Sequence, residues 1–223
     1  EPVKITHVTE PVWCDIKVKT HTENVICAKT HEWAVKSRPN NNPKNISAYE
    51  LLKLKKERTL PRIKPLDFKQ EIILPIDPYW LGLWLGDGDK RAPIIRCGKK
   101  YFKHCESTVY TYTKRMCSCG DYFYTYTKQG IRGKLKKLNL LCNKHIPDIY
   151  KKASIEDRLK LLAGLIDSAG DKSNNVYRFA NTNTVLYNDV KYIVNSLGMV
   201  CSKDMLVNRK GTITFDKYEC NLN

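Results

Sequence analysis

The residues best placed to do chemistry are acids that follow short apolar runs. In Trp80-Leu81-Gly82-Leu83-Trp84-Leu85-Gly86-Asp87-Gly88-Asp89 the run ends in an acidic turn. The pattern returns 82 residues later, Trp80 aligning with Leu162, in Leu162-Ala163-Gly164-Leu165-Ile166-Asp167-Ser168-Ala169-Gly170-Asp171. An acid at a helix C-terminus opposes the helix dipole, so Asp87 does little for helix stability where it stands. Carboxylates do suit a hard divalent cation such as Mg²⁺. The repeat is unequal, because Asp87 in the first copy corresponds to Ala169 in the second, and alanine ligates nothing.

The elements that must position these groups follow from the same stretches. Gly82 and Gly86, like Gly164 and Ser168, are small residues four apart on one helix face, which lets two helix backbones approach closely. The two helices are therefore expected to pack on each other, bringing Asp87 and position 169 to one edge of their interface. Pro78 suits the first turn of the first helix, and Ser154, with Glu156 and Asp157 behind it, caps the second.

Around this pair the sequence predicts strands at 12–18, 24–27, 94–97, 108–113, 122–127, 177–181, 199–201 and 212–215. Helices are expected at 130–141 and 184–197, with Gly198 as a stop. The run Ser37–Lys44 reads as a loop, and Ser47 with Glu50 forms a capping box opening a helix through Lys56. Residues 1–69 are thus a small β-rich segment and linker. The order helix, strands, helix then occurs twice, over 70–152 and 153–223.

Composition narrows the partner. The chain carries 39 Lys and Arg against 23 Asp and Glu, a net charge of +16 spread over its length, which points to a polyanion and foremost to nucleic acid. No apolar run reaches a membrane span, and no signal peptide opens the chain. It starts at Glu1 and not at Met, as an excised or trimmed product would. Nine cysteines, odd in number and irregular in spacing, fit a reduced intracellular protein, nuclear in a eukaryotic host. Cys14, Cys27, Cys142 and Cys201 read as small buried residues. Cys97, Cys105, Cys117 and Cys119 with His104 are metal-binding types, but their C-x-C spacing lacks the gap of a zinc knuckle, so zinc is not expected.

Leu162 to Asp167 resembles, letter for letter, the signature of LAGLIDADG homing endonucleases, and Leu81 to Gly88 resembles its looser first copy. Asn143-Lys144-His145-Ile146-Pro147 resembles the family's K-x-I-P block, in its expected place between the copies. The resemblance covers residues 70–223. It implies an α+β, pseudo-twofold fold: two αββαββα-like halves with a DNA-binding β-saddle, acting as a monomer on a long double-stranded DNA site. It assigns Mg²⁺-dependent phosphodiester hydrolysis to the eighth residue of each copy, here Asp87 as metal ligand and Ala169 as the position of the missing acid. Lys144 takes the role of the family's active-centre lysine, polarising water or stabilising the phosphate. Carried on from position 169, the step from Asp87 to Lys144 reaches position 226, beyond Asn223, so a second lysine is Lys210, Lys217 or outside the chain.

Residues that placement on the strands and loops marks for DNA contact are Arg91, Arg96, Lys99, Lys103, Tyr110, Tyr112, Lys114, Arg115, Tyr124, Lys128, Arg178, Lys203, Arg209 and Lys210. Those in loops should grip phosphates and those in strands read bases. Residues 1–69 resemble part of an intein (Hint-like) splicing domain around its histidine block, of which His31 is a remnant; Ala28 replaces the block's Thr. The chain has neither a Cys or Ser at position 1 nor a His before Asn223, so self-splicing is not expected. The expected function is site-specific DNA binding with impaired cleavage, limited to nicking or absent, with a non-cleaving DNA-binding protein as the alternative.

Overall fold

The computed structural model describes residues 15–19, 24–36, 42–54, 58–69, 72–98, 111–116, 122–127, 130–173, 176–201, 205–207 and 210–216. The chain divides into two compact units, Glu1–Lys64 and Pro65–Asn223.

The first unit is built from hairpins. Strands β1 (Asp15–Lys19) and β2 (Asn24–Ala28) pair antiparallel, as do β3 (Glu32–Val35) and β4 (Lys44–Ser47). Helix α1 (Ala48–Lys53) starts at a complete capping box: Ser47 Oγ accepts the Glu50 amide at 3.2 Å, and Glu50 accepts the Ser47 amide at 2.8 Å. The helix stops three residues short of Lys56. Lys44, expected in a loop, instead opens β4, which the β3 backbone fixes through the Val35–Lys44 register.

The second unit is organised on α2 (Pro78–Asp87) and α5 (Ile155–Ala169). Asp77 caps α2 by accepting the Trp80 amide at 2.8 Å, and Ser154 caps α5 by accepting that of Asp157 at 3.1 Å. The core runs along their contact, with Trp80, Leu81, Trp84, Leu161 and Leu165 all buried. Each helix leads into an antiparallel sheet. After α2 come β5 (Ile94–Gly98), β6 (Thr111–Met116) and β7 (Tyr122–Thr127), in spatial order β5-β7-β6. After α5 come β8 (Gly170–Ser173), β9 (Val176–Asn181), β10 (Met205–Val207) and β11 (Lys210–Asp216), ordered β10-β11-β9-β8.

Among the described residues, three further helices close the unit: α3 (Ile131–Lys137), α4 (Asp148–Lys151) and α6 (Thr184–Ser196). Helix α6 lays Leu186, Val190, Ile193 and Val194 against the core and ends before Gly198, whose φ of 74° is the left-handed stop expected of glycine there. Helix α3 ends at Lys137, earlier than the basic periodicity predicts, because Asn139 and Cys142 turn the chain at φ of 54° and 58°. Of the strand expected at Met199 to Cys201, Met199 and Val200 lie outside any strand and Cys201 makes a single β-bridge; a strand follows at Met205–Val207.

Arg158, fully buried on α5, fastens the extended segment that precedes α2. It donates to the carbonyls of Ala153 and Ser196 at 3.1 Å each, to Ser196 Oγ at 2.6 Å and to the carbonyl of Leu66, and it stacks on Phe68. The Leu66 amide donates in turn to the Ser196 carbonyl at 2.8 Å. Among the described residues, no helix is long and apolar enough to cross a membrane.

Candidate active site

The site is positioned by the closeness of the two central helices. A Cβ on Gly164 would stand 2.8 Å from the Leu83 amide nitrogen and against the Tyr79 carbonyl; one on Gly82 would stand 2.9 Å from the Leu165 nitrogen. Backbones this close leave no room for a side chain, so glycine is required at both places. One turn further on, a Cβ on Gly86 would meet the Ala169 Cβ at 3.1 Å, so the C-terminal ends converge as the small-residue spacing predicts. Tyr79 adds a tie across the pair by donating its hydroxyl to Asp167 Oδ2 at 2.8 Å. That bond links the two helices through Asp167, two residues before position 169.

At the converging ends Asp87 is exposed and Asp89 half-buried. The turn beyond α2 is tightly fixed. The Asp89 amide donates to the Ile94 carbonyl at 2.8 Å, Asp89 Oδ1 accepts the Arg91 amide at 2.7 Å, and Trp84 Nε1 donates to the Ala92 carbonyl at 2.8 Å. Gly88 lies flush on the Trp84 ring, where a Cβ would be 2.7 Å from Cγ.

Lys144 reaches into this turn. Its Nζ donates to the Gly88 carbonyl at 2.7 Å and lies 5.2 Å from the centre of the Trp84 ring. Burial pushes its ammonium down to about 8, against the opposing pull of the Asp87 and Asp89 charges. A lysine poised this close to neutrality can present a localised charge to an oxyanion or exchange a proton near physiological pH.

The loop that carries Lys144 is held from α6 and from the turn after α2. Asn183 Nδ2 donates to the Lys144 carbonyl at 2.7 Å, Asp189 Oδ2 accepts the Ile146 amide at 2.8 Å, and the Cys142 amide donates to the Lys90 carbonyl at 2.7 Å. Asp189 also pairs with Lys151 at 2.7 Å. Burial works against the Lys151 ammonium, but the Asp189 and Asp148 carboxylates outweigh it and hold its pKa above the ordinary lysine value. Sequence reasoning missed Trp84, Asn183 and Asp189. An Asn before the α6 pattern and an acid on its apolar face were the available signals.

In the second half Asp171 and Arg178 are partners in the β8–β9 register, and both are exposed. Arg91 is exposed in the turn after α2. Arg96, Tyr112, Lys114, Arg115 and Tyr124 lie in β5, β6 and β7. In the register there, Arg96 and Thr113 both pair with Thr125, and Tyr112 and Ile95 both pair with Tyr126. Lys210 opens β11. Lys99, Lys103, Tyr110, Lys128, Lys203, Arg209 and Lys217 lie outside the described residues, as do Cys14, Cys105, Cys117, Cys119 and His104.

Two of the expected buried cysteines differ. Cys142 is exposed, because its left-handed backbone turns it out of the core, and Cys27 is half-buried; Cys201 is buried as expected. Among the described residues no group of three or more His, Cys, Asp or Glu side chains could hold a metal ion. In the first unit His31 is exposed, with its ring edge-on to Trp33 at 5.5 Å, and its carbonyl accepts the Ala48 amide at 2.8 Å.

No family model matches the chain. By sequence it is 32% identical over 133 residues to a replicative DNA helicase DnaB of Mycobacterium intracellulare, a match covering 59% of this chain and 20% of that protein. The chain therefore spans about a fifth of the length of this curated relative. By structure it is similar to the homing endonuclease I-DmoI. Mesophilic variants of that enzyme give a TM-score of 0.47 at 15% identity, over 63% of this chain and 87% of theirs. A variant complexed with its target DNA in the presence of manganese gives 0.47 at 16%, over 63% and 86%. A complex with DNA and calcium gives 0.44 at 16%, over 64% and 82%.

Proposed function

We propose that the second unit is a LAGLIDADG-type DNA endonuclease scaffold that binds a specific double-stranded site and is impaired in cutting it. The observation that carries the reading is the convergence of α2 and α5 on one edge, with Asp87 ending one helix and Ala169 the other. The motif letters of both copies and the lysine block between them support it, since Lys144 lies on the Gly88 carbonyl beside Asp87.

The residues fit a divalent metal such as Mg²⁺ only in part. Asp87 is an exposed carboxylate that would hold it, and Ala169 offers no donor where the pseudo-symmetric ligand belongs. When bound, such an ion supplies Lewis acidity and a water of lowered pKa. Lys144 offers its ammonium to the phosphate; the sheets and the basic surface hold the duplex. Asp167 does not simply replace the lost acid, because it lies two residues before position 169 and so on another face of α5, where its Oδ2 accepts the Tyr79 hydroxyl.

The test begins with selection of the bound sequence from random duplexes, followed by incubation of a supercoiled plasmid bearing it with Mg²⁺. The chain should bind the site and leave the plasmid supercoiled or nicked, while Ala169→Asp should linearise it. Linearisation at an ordinary enzymatic rate by the unaltered chain would overturn the impairment. Failure of Ala169→Asp to cut would favour the second reading, a non-cleaving DNA-binding protein, which the alanine itself supports.

The first unit fits a remnant of a Hint-like splicing domain, with His31 as the residue left from its histidine block. A match confined to one fifth of a helicase suits an element carried within a larger host protein; helicase activity is not proposed for this chain. The second unit acts as a monomer with pseudo-twofold halves, and the chain works in a reducing intracellular compartment.

A further inference from the structure

We infer that Asn183, at the start of α6, is a positioning residue that sets Lys144 on the Gly88 carbonyl. The Asn183 side chain does two jobs. Its Oδ1 accepts the amides of Val185 at 3.0 Å and Leu186 at 3.2 Å, which caps α6, and its Nδ2 donates to the Lys144 carbonyl at 2.7 Å. The Asn183 amide is itself fixed by Asn181 Oδ1 at 2.8 Å, so the group rests on the end of β9. One side chain of the second half thereby fixes the backbone from which a first-half cation extends.

The other end of Lys144 has its own support. The Trp84 ring lies beneath Nζ and is pinned by its bond to the Ala92 carbonyl. A lysine stem has four rotatable bonds, so its ammonium is placed only when the backbone at its base is fixed as well. Gly88 supplies an acceptor and Asn183 supplies the base. The geometric tolerance for a group acting on a phosphate is below about 1 Å, and a displaced stem falls outside it.

Asn183→Ser and Asn183→Thr separate the two jobs. Each hydroxyl still caps α6, and neither reaches the Lys144 carbonyl. The decisive readout is the pH profile of amine labelling at Lys144, followed by mass spectrometry on the full chain without metal or DNA, with exposed Lys160 as the internal reference. In the unaltered chain Lys144 should label with a midpoint near pH 8. In both variants the midpoint should move at least one pH unit toward the ordinary lysine value, while the Lys160 profile and the melting temperature hold. An unchanged Lys144 midpoint overturns the inference. So does a change that appears only together with loss of the fold, because the role is then structural.

The consequence for cutting rests on the endonuclease reading. In the Ala169→Asp background, Asn183→Ser should lower the cleavage rate about tenfold with DNA affinity unchanged. If Ala169→Asp does not cut with Asn183 intact, the endonuclease reading fails, and the labelling profile still decides the role of Asn183.

Discussion

Gly82 and Gly164 meet backbone to backbone: a Cβ on Gly82 would stand 3.0 Å from the Gly164 Cα. Everything at the candidate site depends on this closeness, because a wider helix pair would separate Asp87 from position 169. A methyl at either glycine meets a carbonyl oxygen and an amide, neither of which can swing aside. Gly82→Ala and Gly164→Ala should therefore each cost about 3 kcal/mol, the upper end of overpacking. Gly133→Ala is the contrast, since its Cβ meets nothing within 4 Å on helix α3, and it should gain up to about 1 kcal/mol. Urea midpoints at constant slope measure all three.

Lys144 makes stability depend on pH. Its ammonium is depressed from 10.5 in the unfolded chain to about 8 in the folded one. Between those values the unfolded chain binds the extra proton, so raising the pH favours the folded state. Relative to Lys144→Met, the unaltered protein should thus gain stability as pH rises from 8 to 10.5, and the difference should be flat below 8. Melting both proteins across that range tests it, because other alkaline titrations cancel in the difference. A difference that shrinks as pH rises would contradict the depressed value.

Much of the helix pair was legible in the sequence. Gly82, Gly164, Pro78 and Ser154 act locally or through repeat spacing, and α2 begins at Pro78 and α5 directly after Ser154, where those signals put them. Strand β7 was legible for a similar reason, since Tyr–Thr alternation is a period-two signal, whereas β6 runs on to Met116, past the expected end at Thr113. What stayed hidden depends on contacts between residues far apart in the chain. Asn183 and Lys144 are 39 residues apart, and Ile146 and Asp189 are 43 apart; nothing in either segment announces the other. The engagement of Asp167 with Tyr79, 88 residues away in the chain, likewise emerges only once the helices are packed.

Arg158 should prove essential to the segment that precedes α2. Its guanidinium donates to the carbonyls of Ala153, Ser196 and Leu66 and to Ser196 Oγ. Arg158→Met keeps much of the volume but leaves those acceptors without their donor, at a cost of about 3 kcal/mol. Arg158→Lys should not rescue it, because three rotatable donors cannot reproduce the planar fork. Limited proteolysis should then cut near Leu66 and Phe68 in both variants and spare the unaltered chain, with global stability read by denaturant unfolding.

Restoring the acid should weaken the fold and make it respond to metal. Ala169→Asp places a carboxylate at the C-terminus of α5, where the helix dipole disfavours it, and opposite Asp87 across the converged ends. Dipole and like-charge repulsion together should cost about 1 kcal/mol without metal. A divalent ion that binds the folded pair and not the unfolded chain returns that stability by mass action, about 2.7 kcal/mol at a hundredfold excess over its dissociation constant. The melting temperature of Ala169→Asp should therefore lie below that of the unaltered chain in chelator and rise with Mg²⁺, while the unaltered chain, with one of the two carboxylates, should respond far less. Asp87→Asn in the same background should abolish the response. Equal Mg²⁺ responses in the unaltered and restored proteins would mean that the ion binds elsewhere.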